Sequence, residues 1–129
     1  HMLGWMKRSV NPAIDGLTGA ECNRVSPSDP GSPRVCVSDD AAYVAADPGH
    51  SFEAVREQVF GAGAGAASGP GAGGKPIVPT MSGFVEQAST VSPELMRGVM
   101  RGFRPERVPV FAALAREYAV FDRWFSSLP

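Results

Sequence analysis

His50 lies in the stretch Asp47-Pro48-Gly49-His50-Ser51-Phe52, between a carboxylate and an aromatic anchor. Imidazoles titrate near neutrality, so a histidine here can give a proton, take one, or hold an anion. The Asp-Pro pair reads as a helix start, with Asp47 as cap and Pro48 at the first helical position, where its missing N–H costs nothing. That placement puts His50 in the first turn, where free backbone N–H groups and the positive end of the helix dipole favour an anion. Two readings stay open: a working group, or a residue that only caps the helix or bonds to Asp47. Asp47 is likewise either the cap or the group that orients His50. Near the other end, Phe121-Asp122-Arg123-Trp124-Phe125 sets two charges among three large aromatics. Asp122 would position a ligand group from a strand end, whereas Trp124 and Phe125 read as core.

Other groupings carry less chemistry. The 2 cysteines, Cys22 and Cys36, permit at most a single intramolecular disulfide. A secreted disulfide scaffold carries more, and a lone pair across a Ser/Pro/Gly-rich segment decides little, so two ordinary thiols are the simpler reading. Zinc held by Cys22, Cys36, His1 and His50 is disfavoured, because no CxxC or HxxxH spacing preorganises it. Gly69 to Lys75 matches G-x-x-x-x-G-K. Pro76 stands where a phosphate-binding loop needs a hydroxyl for magnesium, and no strand precedes the glycines, so the match reads as linker. With 12 basic and 13 acidic residues and no basic cluster, the charge pattern argues against a nucleic-acid partner. No apolar run is long enough to span a bilayer.

The elements that must position these groups are short. At 129 residues the chain has the length of one small domain, and its 15 Gly and 12 Pro collect in connecting segments, which concentrates apolar residues into a few blocks. Residues 2–8 read as a turn or two of helix. Asn11 to Pro33 is rich in turn formers and reads as an irregular connection, followed by a short edge strand at Arg34-Val35-Cys36-Val37. Phe52, Val55, Val59 and Phe60 form the expected buried face of a helix from Ser51 to Val59, stopped by Gly61. Residues 61–75, almost wholly Gly, Ala, Ser and Pro, read as a flexible insertion. Short helices are expected at Met81 to Ser89 and Pro93 to Gly98. A stronger helix follows from Pro109 to Glu117, with Val110, Phe111, Leu114, Ala115 and Tyr118 as its apolar face. Ala119 to Phe121 then reads as a short buried strand ending at Asp122, the α/β arrangement in which working side chains gather at strand ends.

The opening His1-Met2-Leu3-Gly4-Trp5-Met6, the run from Asp15 to Gly19 (DGLTG), the run DPGHSFEAVREQVFG and the ending RVPVFAALAREYAVFDRWFSSLP together resemble the phosphoesterase family of plant-type non-specific phospholipases C. Bacterial phospholipases C and certain acid phosphatases are related to that group. The resemblance runs along nearly the whole chain, and His1-Met2 match it as native residues. It implies an α/β fold of the alkaline-phosphatase-like type, a mixed sheet with flanking helices. This chain would be an incomplete N-terminal-side fragment of it, mostly helix and loop, so that residues 1–129 form a partial catalytic domain.

In the family, a Glu-Asn-Arg-Ser-Phe-Asp motif associated with metal binding precedes the position of His1. A Thr-x-Pro-Asn-Arg motif associated with the nucleophile follows the position of Pro129. The resemblance therefore implies a divalent metal in the complete enzyme, of open identity, with no metal ligands inside this chain. It places His50 in the active site, and it makes Ser126 and Ser127 approach-loop residues; Asp47 and Asp122, by their places in the chain, and His1, by following the metal motif, are the supporting candidates. The implied activity is hydrolysis of glycerophospholipids, at a membrane surface, to diacylglycerol and a phosphorylated head group. An acid phosphatase acting on soluble phosphomonoesters is the alternative, as is a fragment that is not catalytic by itself. The compartment stays open, with a peripheral membrane or secretory location fitting the resemblance.

Overall fold

A computed structural model describes residues 2–43, 46–62 and 78–124. Helix α1 (Met6–Ser9) leads into a two-stranded antiparallel sheet, β1 (Cys22–Arg24) and β2 (Arg34–Cys36). The helices α2 (Phe52–Phe60), α3 (Phe84–Ser89), α4 (Leu95–Gly98) and α5 (Pro109–Glu117) follow, with a 3-10 turn at Pro105–Arg107 before the last. The described chain is therefore mostly helix and loop around a small sheet. The expected insertion at 61–75 and the linker at Gly69 to Lys75 fall largely or wholly outside the described residues.

The edge strand expected after Pro33 is present as β2, but the supposed irregular connection before it contains the partner strand β1. The turn formers between them close a hairpin. Asp29 N–H donates to Ser26 O, Ser32 N–H to Asp29 O, and Gly31 N–H to the Asp29 carboxylate. This register sets Cys22 opposite Cys36, and the two are joined in a disulfide. The reading of two ordinary thiols is thus corrected: the two sulfurs are bonded to each other.

α2 begins four residues later than the Asp-Pro signal implies, so His50 lies ahead of the first turn and not within it. Its cap is Ser51, in extended backbone, whose Oγ accepts from Ala54 N–H at 3.2 Å. Asp47 and Pro48 lie ahead of the helix, so neither is cap or first helical residue, and His50 immediately precedes the cap. Ser competes for a cap position as well as Asp does, and the Ser51 site leaves Pro48-Gly49 free to turn the chain. Gly61 ends α2 as expected, its N–H bonded to Glu57 O at 2.8 Å, with φ +84° and ψ 160°. Glycine alone adopts that backbone without strain.

The two strongest helices do not bury the faces their periodicity suggests. Phe52 is 69% exposed, and the buried residue of α2 is Gln58. In α5 the large side chains Val110, Phe111 and Leu114 are exposed, as is Tyr118 just past its end, while Ala112 and Ala115 pack on Trp5 and Met6. Arg116 extends over the Trp5 ring at 5.5 Å from its centroid. Residues 119–121 do not form the expected buried strand: Val120 and Phe121 are exposed and unpaired. An apolar run becomes a buried strand only beside a neighbour that takes its backbone groups, and the described residues supply none there. Trp124 is 81% exposed rather than core, packed edge-on against Phe121.

α2 packs on α3, and α3 on α4, around Val85, Ala88 and Leu95. The approach of the chain to α3 is tight. Gly83 N–H donates to Gln58 O, and a Cβ on Gly83 would lie 1.9 Å from Glu57 O and 2.8 Å from Glu57 C. Its φ of −94° suits any residue, so the demand for glycine here is steric alone. Gly83→Ala in the full-length protein is expected to cost on the order of 2–3 kcal/mol, because backbone atoms cannot swing aside as side chains do. Gly98→Ala, whose Cβ would meet only Leu95 Cδ1 at 3.5 Å, serves as the near-neutral control. Urea unfolding that moved equally for both would refute the packing account.

Candidate functional site

The turn carrying His50 is held from behind by glutamines on two helices. Gln58 of α2 donates through Nε2 to Gly49 O at 2.8 Å and to Gln87 Oε1 at 3.0 Å. Gln87 of α3 accepts through the same Oε1 from Gly49 N–H at 3.1 Å. Gly49 fits because it has no side chain: a Cβ would sit 2.6 Å from both Ala54 Cβ and Gln87 Nε2. Neither glutamine stood out in the sequence. A polar residue on a helix reads as solvent-facing, and nothing local reveals a partner 38 residues away.

His50 itself points outward. Its Nε2 lies 3.8 Å from Asp47 Oδ2, and both side chains are mostly exposed. That separation is an ion-pair distance when the imidazole is protonated, and too long for a hydrogen bond. The structure therefore places Asp47 near His50 without a hydrogen bond between them, and leaves the imidazole open to solvent.

Asp122 is elsewhere engaged. Its Oδ2 accepts from Asp15 N–H at 2.6 Å, clasping the end of the described chain to the DGLTG loop. It lines a cleft of about 1030 Å³, walled mainly by apolar groups including Leu3, Leu17, Phe84 and Phe103. His50 does not line that cleft, but Pro48 and Gln58, from the turn and its clamp, do. Asp47 lines a smaller adjoining cavity of about 390 Å³, with Pro48, Val99 and Phe103 shared between the two. Asp122 and His50 are thus not brought together as one acid–base pair. His1, Phe125, Ser126 and Ser127 lie outside the described residues.

The cations near the cleft are already matched. Arg8 pairs with Asp39 at 2.8 Å, and Arg101 with Asp40 at 2.6 Å. The hydrogen bond from Arg101, with another from Ser38, holds the Asp40 carboxyl well below its ordinary range. Glu21 also lines the cleft but is tied into a turn. Partial burial pushes its carboxyl up, but bonds from Thr18 N–H and Oγ1 and from Gly19 N–H outweigh this and bring it to about 2. It is a turn anchor, too weak a base for proton transfer near neutrality. Elsewhere on α2, burial and then Glu86 of α3 raise Glu57, and Glu86 Oε2 is buried with no hydrogen-bond partner among the described residues. Among the described residues, no three His, Cys, Asp or Glu side chains converge to hold a metal ion.

Comparison with known proteins gives this arrangement its context. Non-specific phospholipase C6 of Arabidopsis thaliana is 56% identical over 129 residues, covering 100% of this chain and 22% of that protein. Non-specific phospholipase C1 of the same plant is 50% identical over the same span and coverage, and non-specific phospholipase C3 is 44% identical over 133 residues, 24% of its length. The chain thus spans less than a quarter of the length of these relatives. The sequence profile of the Phosphoesterase family matches residues 1–129, and the chain belongs to that family.

Proposed function

We propose that the full-length protein carrying this chain is a phospholipase C, and that residues 1–129 form part of its catalytic domain, of alkaline-phosphatase-like fold. The observation that carries this reading is the alignment of the entire chain, at 56% and 50% identity, with two proteins named non-specific phospholipases C. The reaction adds water across the phosphate–glycerol bond of a glycerophospholipid. Oxygen bonds to phosphorus, the glycerol oxygen leaves with a proton, and the products are diacylglycerol and a phosphorylated head group. His50, exposed beside Asp47, is suited to hold a phosphoryl oxygen or to protonate the departing glycerol oxygen. Asp47 would keep the imidazole oriented, while Asp122 would support the neighbouring cleft rather than the reacting atoms. His1 stays a supporting candidate on the family resemblance alone.

Among the described residues no three potential ligands converge to hold a metal ion by themselves, so the part proposed for this chain is that of its own side chains. The substrate would be met at a membrane surface. Among the described residues no helix is long and apolar enough to cross a membrane, while Tyr118, Phe121 and Trp124 present exposed aromatic surface. Incubating the full-length protein with phosphatidylcholine vesicles is expected to release diacylglycerol and phosphocholine, at a rate well above its turnover of p-nitrophenyl phosphate. Hydrolysis of the nitrophenyl ester alone would replace this reading with that of a phosphatase for soluble monoesters.

A further inference from the structure

We infer that Gln58 and Gln87 are positioning residues for the reaction, holding the Gly49 peptide so that His50 is presented in one orientation; this rests on the reading of His50 as the group that acts on phosphate. Among the described residues, Asp47 is the side chain within ion-pair reach of the imidazole, and it is itself exposed. The backbone therefore sets where the imidazole is carried, and Asp47 acts on the ring beyond that. The carbonyl accepting from Gln58 belongs to the Gly49–His50 peptide, and the N–H bonded to Gln87 opens the same residue. Both polar groups of Gly49 are thus fixed within three bonds of the His50 nitrogen. The two glutamines are 8% and 5% exposed, and buried amides persist where their hydrogen bonds are made.

The network has a polarity. The Gly49 backbone fixes which amide atom each glutamine presents, because an N–H must meet an oxygen and a carbonyl must meet a donor. Gln87 Oε1 accepts twice, and Gln58 Nε2 donates twice. The same substitution should therefore act oppositely at the two positions. Gln87→Glu keeps both acceptor contacts, whereas Gln58→Glu sets an oxygen against Gly49 O and Gln87 Oε1.

The test measures kcat and KM of the full-length protein on phosphatidylcholine vesicles. Gln87→Met is expected to lower kcat by about 10- to 100-fold, since a misplacement near 1 Å costs about 100-fold, with KM changed less than about twofold. Gln87→Glu recovers turnover to within about threefold, and Gln58→Glu does not. In a His50→Ala background, Gln87→Met adds less than about twofold, because a positioning residue has nothing left to position. A full multiplicative loss in that background, or no loss in wild type, overturns the inference while leaving His50 in place. Normal turnover in His50→Ala overturns the reading of His50, and the inference falls with it. If Gln87→Met does not accumulate as folded protein, the contrast between the two glutamate variants decides, and equal loss in both refutes the clamp.

Discussion

His50→Ala in the full-length protein is expected to lower kcat on phosphatidylcholine by about two or more orders of magnitude, the usual scale for a lost acid–base or charge-stabilising group. Stability should change by no more than about 0.5 kcal/mol, as for most surface substitutions. The side chain is 74% exposed, and the helix cap beside it is Ser51. A loss of turnover with unchanged unfolding would separate chemistry from scaffolding. His50→Gln then divides the chemistry itself. Glutamine keeps a donor but does not titrate, so retained activity would mean that His50 holds a phosphoryl oxygen. Activity as poor as that of alanine would mean that it transfers a proton. Near-normal kcat in His50→Ala, with the metal content of the protein unchanged, would reduce His50 to an exposed residue ahead of a helix.

The parts of this architecture legible in the sequence are those written in local chemistry. Gly61 stops α2 through a positive φ, and Pro109 opens α5, so the observed Phe52–Phe60 and Pro109–Glu117 lie within a residue of the periodic runs. Periodicity also marks which face of a helix seeks cover, but not whether the cover lies within the same stretch of chain. In α5 the broad apolar stripe stays outward, and two alanines make the contact with Trp5 and Met6. The misplaced cap has a local cause too, since Asp47 and Ser51 are both good caps and only the path of the chain through Gly49 decides between them. What was illegible is long-range and polar. Asn23 on β1 bonds to Met81 O and to Phe84 N–H, and Gln87 bonds to Gly49. Each is a polar side chain whose partner is fixed only once the fold exists. The start of a helix near His50 was therefore readable, while its displacement to Ser51 and the machinery holding the turn were not.

The disulfide ties these long-range contacts together, and its removal should show it. Cys22→Ser with Cys36→Ser opens a loop with a sequence separation of 14. Chain-entropy arguments put the cost of opening such a loop at about 3 kcal/mol. The register that pairs Cys22 with Cys36 also pairs Asn23 with Val35. Asn23 is 8% exposed and bonds through Nδ2 to Met81 O at 3.0 Å and through Oδ1 to Phe84 N–H at 3.1 Å. Fraying of the hairpin would thus release the start of α3, the helix that carries Gln87. The double variant is expected to unfold at lower urea than wild type. A reducing agent should shift wild type by the same amount and leave the variant unmoved. Coincident curves for reduced and oxidised wild type, or two thiols reacting at once in the native unreduced protein, would restore Cys22 and Cys36 as ordinary thiols. A shift on reduction of wild type that matches the loss in the double variant, with the variant unmoved by reductant, would instead show that the covalent link between two short strands stabilises the fold.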